Sequence, residues 1–356
     1  MLKNIITLSD GTEIRSGVPG EDSIISVSVT ETVNKSKDLT PGDSNTAMME
    51  ATIWSGNVPA LAQKVKHRFR LSKTDDNNVF QYPGSFVTSS LDYPTRTMLK
   101  IVGYNPLQDL DMNLSGWVSE LTEWPYALRD FAAMVCRECG FGYEDADIPN
   151  GDFPVYKPDL KKVTGRQLLK WIGEICCRFL VMGNPILGLI PSVKFEWFTD
   201  SGVTLTPSGE NYYYSGGQTY SPWEVPEVES VHVLWKDAYG DEYLVPSIGD
   251  YRDHNYYTIT GNALIQALPK DEYGDPEDVD ALHGYLNVIK QEMAGLSYTP
   301  CKLSCPARMD IRPGHIFHFV GHDGKLHKAL CMKKITKGQK DTIECTGSQL
   351  RKQYHK

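Results

Sequence analysis

Over the first third of the chain, apolar and polar residues alternate in short runs, and this period of two predicts strands. Asn4-Ile-Ile-Thr-Leu8 and Glu13-Ile-Arg15 flank Asp10-Gly11, a strong hairpin signal. Ile25, Val27 and Val29 alternate with Ser26, Ser28 and Thr30, which predicts a half-buried strand. Pro41-Gly42-Asp43 marks a turn, and Ala47–Trp54, Val65–Leu71 and Arg96–Tyr104 complete a plausible strand set. The period then lengthens. Trp124–Cys139 reads as a helix with Pro125 in its first turn, Gly140 as its stop and Leu128, Phe131, Ala132 and Val135 as its buried stripe. Thr164-Gly-Arg-Gln167 is a capping-box pattern opening a second helix, with Leu168, Leu169, Ile172, Ile175, Cys176 and Phe179 on its apolar face. The loop over Asp145–Lys162 is rich in Pro, Gly and Asp.

Strand patterns return at Val193–Phe198 and Val228–Trp235, with Glu242–Pro246 pairing back across an Asp237–Asp241 turn. Ser208–Ser221 reads as a long loop. A third helix is expected near 276–294, with Asp275 as N-cap, Pro276 as first residue, Leu282, Leu286, Ile289 and Met293 as its stripe and Gly295 as its stop. Beyond it, Pro313-Gly314 and Asp323-Gly324 punctuate strands around Ile316–Phe319, Leu330–Ile335 and Thr342–Cys345, ending at Cys345-Thr-Gly347. The fold class is mainly β with an α/β insert (α+β). Residues 1–120 are expected to form a first β domain, one sheet or barrel, 121–190 a small α/β domain with two helices, and 191–356 a second β domain that closes in a compact antiparallel barrel and carries the long helix.

Composition narrows the function. At 356 residues several cores are expected, and 19 Tyr suit β surfaces and interfaces. A net charge of −9 argues against a protein that wraps nucleic acid by neutralising phosphates. The densest basic run, Lys64-Val-Lys-His-Arg-Phe-Arg70, reads as one polar strand face. The N-terminus lacks a signal-peptide core, and the longest apolar run, Phe179–Pro191, is broken by Gly183, Pro185 and Pro191, so no membrane-spanning segment is expected.

Candidate chemistry is thin. Cys136-Arg-Glu-Cys139 lies at a helix C-terminus, where the dipole disfavours a thiolate, and its i, i+3 spacing fits core packing. A zinc site would need two more ligands, for which Cys301 and Cys305 are the candidates. His315, His318, His322 and His327 are close in sequence but fall on opposite strand faces and around a hairpin. Asp271–Asp278 fails the calcium-loop spacing and reads as the acidic start of a helix. No nucleophile, phosphate-binding or metalloprotease motif occurs. No catalytic, cofactor-binding or metal residue is therefore assigned, and no cofactor or enzymatic activity is expected.

Three stretches in fixed order carry a resemblance. They are Ile6–Ile14 running into Ile24–Asn34 and Leu39–Ile53; then Thr164–Ile175; then Ile259-Thr-Gly-Asn-Ala-Leu264, the Asp275 helix, Tyr298-Thr-Pro and Ile311-Arg-Pro-Gly-His-Ile-Phe317. Together they resemble the hub proteins of bacteriophage tails, especially those of Gram-positive prophages. The resemblance implies a structural protein of the virion tail tip or baseplate, assembled in the bacterial host cytoplasm. It implies a homotrimer of two tube-like barrels per chain, a pseudo-sixfold ring between the tail tube and a central spike or fibre. The partners it implies are tail tube and distal tail proteins, the spike or fibre, a tape-measure protein, and genomic DNA crossing the lumen without specific binding. Many such hubs continue into a hydrolase, whereas this chain stops at Lys356, so that activity is expected in another protein. The competing readings are a β-rich peptidoglycan hydrolase component and, third, a zinc module built on Cys136 and Cys139.

Overall fold

The computed structural model describes residues 3–17, 22–33, 39–44, 46–74, 80–144, 147–183, 191–247, 255–308 and 310–346. The centre of the Phe179–Pro191 run, with Pro185, and the terminal Gly347 lie outside them.

Seven strands form the first barrel: β1 (Lys3–Leu8), β2 (Glu13–Ser16), β3 (Ser23–Thr32), β4 (Thr46–Trp54), β5 (Arg68–Thr74), β6 (Phe80–Thr95) and β7 (Met98–Tyr104). Helix α1 (Val58–Lys64) joins β4 to β5. The pairing order β1-β2-β3-β4-β7-β6-β5 returns to β1, so the sheet closes on itself. Ile6, Met49, Ile53, Leu71, Leu99 and Ile101 fill the interior. Closure removes the edges an open sheet would expose.

Two local expectations are corrected here. The strand expected over Val65–Leu71 begins at Arg68, because α1 occupies the residues before it and Val65 caps that helix. Asn57 accepts from Ala60 N at 3.3 Å and Pro59 takes a first-turn position, signals that define a helix too short to show a full apolar period. In β3 the register shifts between Ile24 and Ser26, a bulge that turns Ile25 outward, 53% exposed, and leaves Ile24 in the core.

The central elements are a 3-10 turn (Pro106–Asp111), α2 (Ser115–Glu120), β8 (Tyr126–Ala127), α3 (Leu128–Glu138), β9 (Gly142–Tyr143), β10 (Pro154–Val155), α4 (Gly165–Ile175), β11 (Phe179–Met182) and β12 (Ser192–Glu196). Helix α3 starts at Leu128, so Pro125 precedes it rather than sitting in its first turn. Thr164 caps α4 as its sequence signals, accepting from Gln167 N at 3.2 Å. The helix stops at Ile175, and Phe179 belongs to β11.

Then follow β13 (Thr199–Leu205), β14 (Gln218–Tyr220), β15 (Ser230–Lys236), β16 (Glu242–Pro246), β17 (Tyr256–Ile259), α5 (Ala263–Gln266), α6 (Val279–Met293), β18 (Cys301–Pro306), β19 (His315–Val320), β20 (Leu326–Lys337) and β21 (Lys340–Cys345). Helix α6 begins three residues later than its acidic run suggests: the cap is Asp278, which accepts from Ala281 N at 2.8 Å, whereas Asp275 closes the preceding loop. Strands β13, β19, β20, β21, β18 and β14 wrap a second apolar core of Leu205, Leu303, Phe317, Phe319 and Ile343. The sheet β16-β15-β17 with α5 and α6 shares one continuous core with α3, α4 and β11–β12.

Candidate functional site

The residues singled out by sequence do not converge. Cys136 and Cys139 pack in the central helical core, while Cys301 and Cys305 lie in the second barrel's core with Cys331 and Cys345. Burial pushes the Cys139 thiol up to about 11 and Cys136 further, which disfavours the thiolate that metal or redox chemistry needs. His315 and His318 lie on β19, and His327 meets Asp323 Oδ1 at 2.9 Å across the hairpin. Among the described residues no cluster of three His, Cys, Asp or Glu has metal-holding geometry, and no helix is long and apolar enough to cross a membrane.

Two junctions instead concentrate the buried polar chemistry. The first is the seam between the closed barrel and the second strand set. β3 pairs with β20 in antiparallel register, Thr32 opposite Lys333 through Ser28 opposite Lys337. Both strands also serve their own barrels, β3 with β2 and β4, β20 with β19 and β21. One sheet therefore runs unbroken from the closed barrel into the second strand set. Beneath it lie four buried charged side chains, Lys73, Lys334, Glu31 and Asp341. Lys334 faces Glu31 across the seam, with Nζ to Oε2 at 3.5 Å. Its ammonium donates more closely to the Ile311 and Arg308 carbonyls, at 2.8 and 3.0 Å. Asp341 Oδ2 accepts from Arg308 N at 2.7 Å, and Lys73 reaches the Gly338 carbonyl at 3.4 Å. Burial raises the Asp341 carboxyl and lowers the Lys73 ammonium, each opposed by charges of opposite sign in the cluster. A buried set of this kind is a poor source of net stability but fixes one register, since any slip strands a charge.

The second junction joins the barrels to the helical core. The β3–β4 loop lies on α4 with Gly42 against Gly173: a Cβ on Gly173 would sit 2.7 Å from Gly42 Cα and 2.9 Å from the Arg178 carbonyl. Gly42 N donates to Arg178 O at 2.9 Å, and Leu180 N to Asp43 O at 3.1 Å. The hydroxyl of Tyr298, just before β18, accepts from Leu39 N at 3.1 Å. Asn262, the cap of α5, donates to Trp171 O and to Glu174 Oε2, both at 3.0 Å. The stretches that carry the sequence resemblance thus meet around this loop. The signals that mark the place, Gly42 and Gly173, are far apart in sequence and gain meaning only when superposed.

Glu174 is 7% exposed, and burial lifts its carboxyl to about 7, against the opposing pull of Lys170 and Asn262. A raised carboxyl contributes stability below its unfolded value, near 4.5, and loses it as pH rises through about 7. Glu174→Gln should therefore be more stable than the parent at pH 8, by up to about 3 kcal/mol, with the difference vanishing by about pH 4.5. Paired thermal melts across that range check the sign.

No protein-family model and no curated protein matches the sequence. Solved structures do. The 43 kDa tail protein of prophage MuSo2 from Shewanella oneidensis superposes with a TM-score of 0.55 at 9% identity, over 96% of this chain and 98% of that one. A tail protein from Neisseria meningitidis gives 0.54 at 11% identity over 97% and 96%. Prophage tail protein gp18 from Listeria monocytogenes gives 0.52 at 10% identity over 96% and 94%. The match runs along nearly the whole length of the chain, which accordingly has the fold of these prophage tail proteins.

Proposed function

We propose that this chain is a non-enzymatic structural hub of a phage tail tip or baseplate. Three copies close a pseudo-sixfold ring that joins the tail tube to a central spike or fibre and lets DNA pass. The observation that carries the reading is the seam: the closed barrel and a second, six-strand β unit are joined in one chain through β3 and β20. Three such pairs supply six barrels, which matches a sixfold tube on one side while leaving threefold symmetry for a spike on the other. The first barrel has no edge to offer. Among the described residues the second unit ends in β13 and β14, paired with β19 and β18 respectively, so chain-to-chain pairing falls to their outer edges. A net charge of −9 suits a lumen through which DNA slides without binding.

In this reading residues 1–120 and, within 191–356, the strands β13, β14 and β18–β21 contribute the tube wall and 121–190 the outer support. The β15–β17 sheet and α6 extend that support, because they share its core. The partners are the tail tube and distal tail proteins, the tape-measure protein and the spike or fibre; the destination is the virion tail, after assembly in the host cytoplasm. Gold-conjugated antibody against the chain should mark one end of purified tails. Labelling along the tube, or particles that lack the chain, would overturn the proposal.

A further inference from the structure

One sequence element occurs twice: Lys236-Asp-Ala-Tyr-Gly-Asp241 between β15 and β16, and Lys270-Asp-Glu-Tyr-Gly-Asp275 ahead of α6. The two copies fold alike. Asp237 Oδ1 accepts from Tyr239 N and Asp241 N at 2.8 and 2.9 Å; Asp271 Oδ1 accepts from Tyr273 N and Asp275 N, both at 2.9 Å. Gly240 and Gly274 hold matching left-handed backbones at φ 91° and 86°. They also lock together. Trp235 Nε1 donates to the Gly274 carbonyl at 3.0 Å, Lys270 Nζ donates to the Lys236 carbonyl at 2.8 Å, and Tyr243 donates to Asp275. The result is a rigid double loop with Tyr239 78% and Tyr273 59% exposed, rimmed by Asp241, Glu242 and Glu272. Tyrosine rings carried on a fixed backbone and left in water are usual anchors of protein interfaces, because they bring large contact area with few rotatable bonds to immobilise on docking.

The same chain carries a concave counterpart. A groove of about 430 Å³ runs between α3 and β9, with Phe141 and Tyr143 among its apolar lining and Arg129 and Arg137 beside it. Asp130 also borders it, so the lining side chains carry one net positive charge. Its volume suits a tyrosine with its flanking backbone. Its charge opposes that of the double loop.

We infer that the double loop of one copy docks in the Arg129–Arg137 groove of the next. Tyr239 or Tyr273 seats against Phe141 and Tyr143, with the acidic rim meeting the two guanidinium groups. The contact is heterologous, since knob and groove are different surfaces, and repeated head to tail it closes a ring. The assignment rests on the proposed self-assembly and adds to it the surfaces that meet.

The test is sedimentation of the full chain at low and high salt. Tyr239→Ala/Tyr273→Ala should weaken self-association by at least about tenfold, and so should Arg137→Glu or Glu272→Arg alone. Combining Arg137→Glu and Glu272→Arg in one chain should restore association, because each copy then presents a reversed groove to a reversed knob. Far-ultraviolet circular dichroism checks that each variant folds. If the parent assembles while the tyrosine variant assembles equally well, or the combined charge swap is no better than its single members, the docking surface is wrong and the ring stands. If only an acidic segment of another protein fills the groove, the docking inference is also overturned. A parent that stays monomeric at every concentration overturns both.

Discussion

Replacing Lys334 with Ala should cost about 3–5 kcal/mol, the expected price of leaving buried carboxylates without their cation. Lys334 is fully buried, faces Glu31 at 3.5 Å and donates to the Arg308 and Ile311 carbonyls. The two carbonyl contacts are shorter than the ion pair, so the ammonium chiefly pins the segment 308–311 to the seam. Its loss strands two carbonyls as well as Glu31. Lys334→Met combined with Glu31→Gln should recover a large part of the deficit, since it removes both charges and keeps the volume. Urea titration followed by tryptophan fluorescence reads both. Screening should matter little: adding salt should leave the deficit nearly unchanged, in contrast to the exposed pair of Arg68 and Asp109.

The second large effect is expected at Gly173. Ala there places a methyl 2.7 Å from Gly42 Cα and 2.9 Å from the Arg178 carbonyl, both backbone atoms that cannot rotate away. Either the β3–β4 loop lifts from α4 or the helix shifts, and overpacking of this kind costs about 1–3 kcal/mol or more. Gly284 offers a control. It lies inside α6 with nothing within 4 Å of a built Cβ. Gly284→Ala should stabilise by up to about 1 kcal/mol through helix propensity alone. Opposite signs for the same substitution in two helices would separate close backbone approach from propensity. Thermal melts of the two variants, with hydrogen exchange at residues 39–44 for Gly173→Ala, give the comparison.

Much of this fold is legible in sequence because much of it is local. The Asp10-Gly11 hairpin, the Thr164 cap and the α6 stripe each declare themselves within a few residues, and each stands in the structure where its pattern puts it. The displaced boundaries have local causes that the patterns do not separate. Asp275 and Asp278 are equally good caps on paper; Asp275 is already engaged by Asp271 and Tyr243, which leaves Asp278 for the helix. Ile25 looks buried because alternation assumes no bulge.

The junctions are not legible in the same way. Lys334 reads as one more lysine in Lys333-Lys334, and nothing nearby reveals that Glu31, some 300 positions earlier in sequence, stands opposite it. Gly42 reads as a turn residue, which it is, while its contact with Gly173 depends on how two modules meet. Likewise the repeated Lys-Asp-x-Tyr-Gly-Asp element is visible in the sequence, but only the locked geometry of its two copies distinguishes a docking knob from a pair of ordinary turns.

The central claim is that two barrels fused by β3 and β20 make one third of a ring. Cryo-electron microscopy of the purified full-length chain, with particle mass measured on the same sample, tests it most directly. The account predicts a particle of about 120 kDa, three chains of 40.0 kDa each, with six barrel-sized lobes around an open lumen and threefold symmetry. A monomer, a dimer or a particle without a central opening would contradict it.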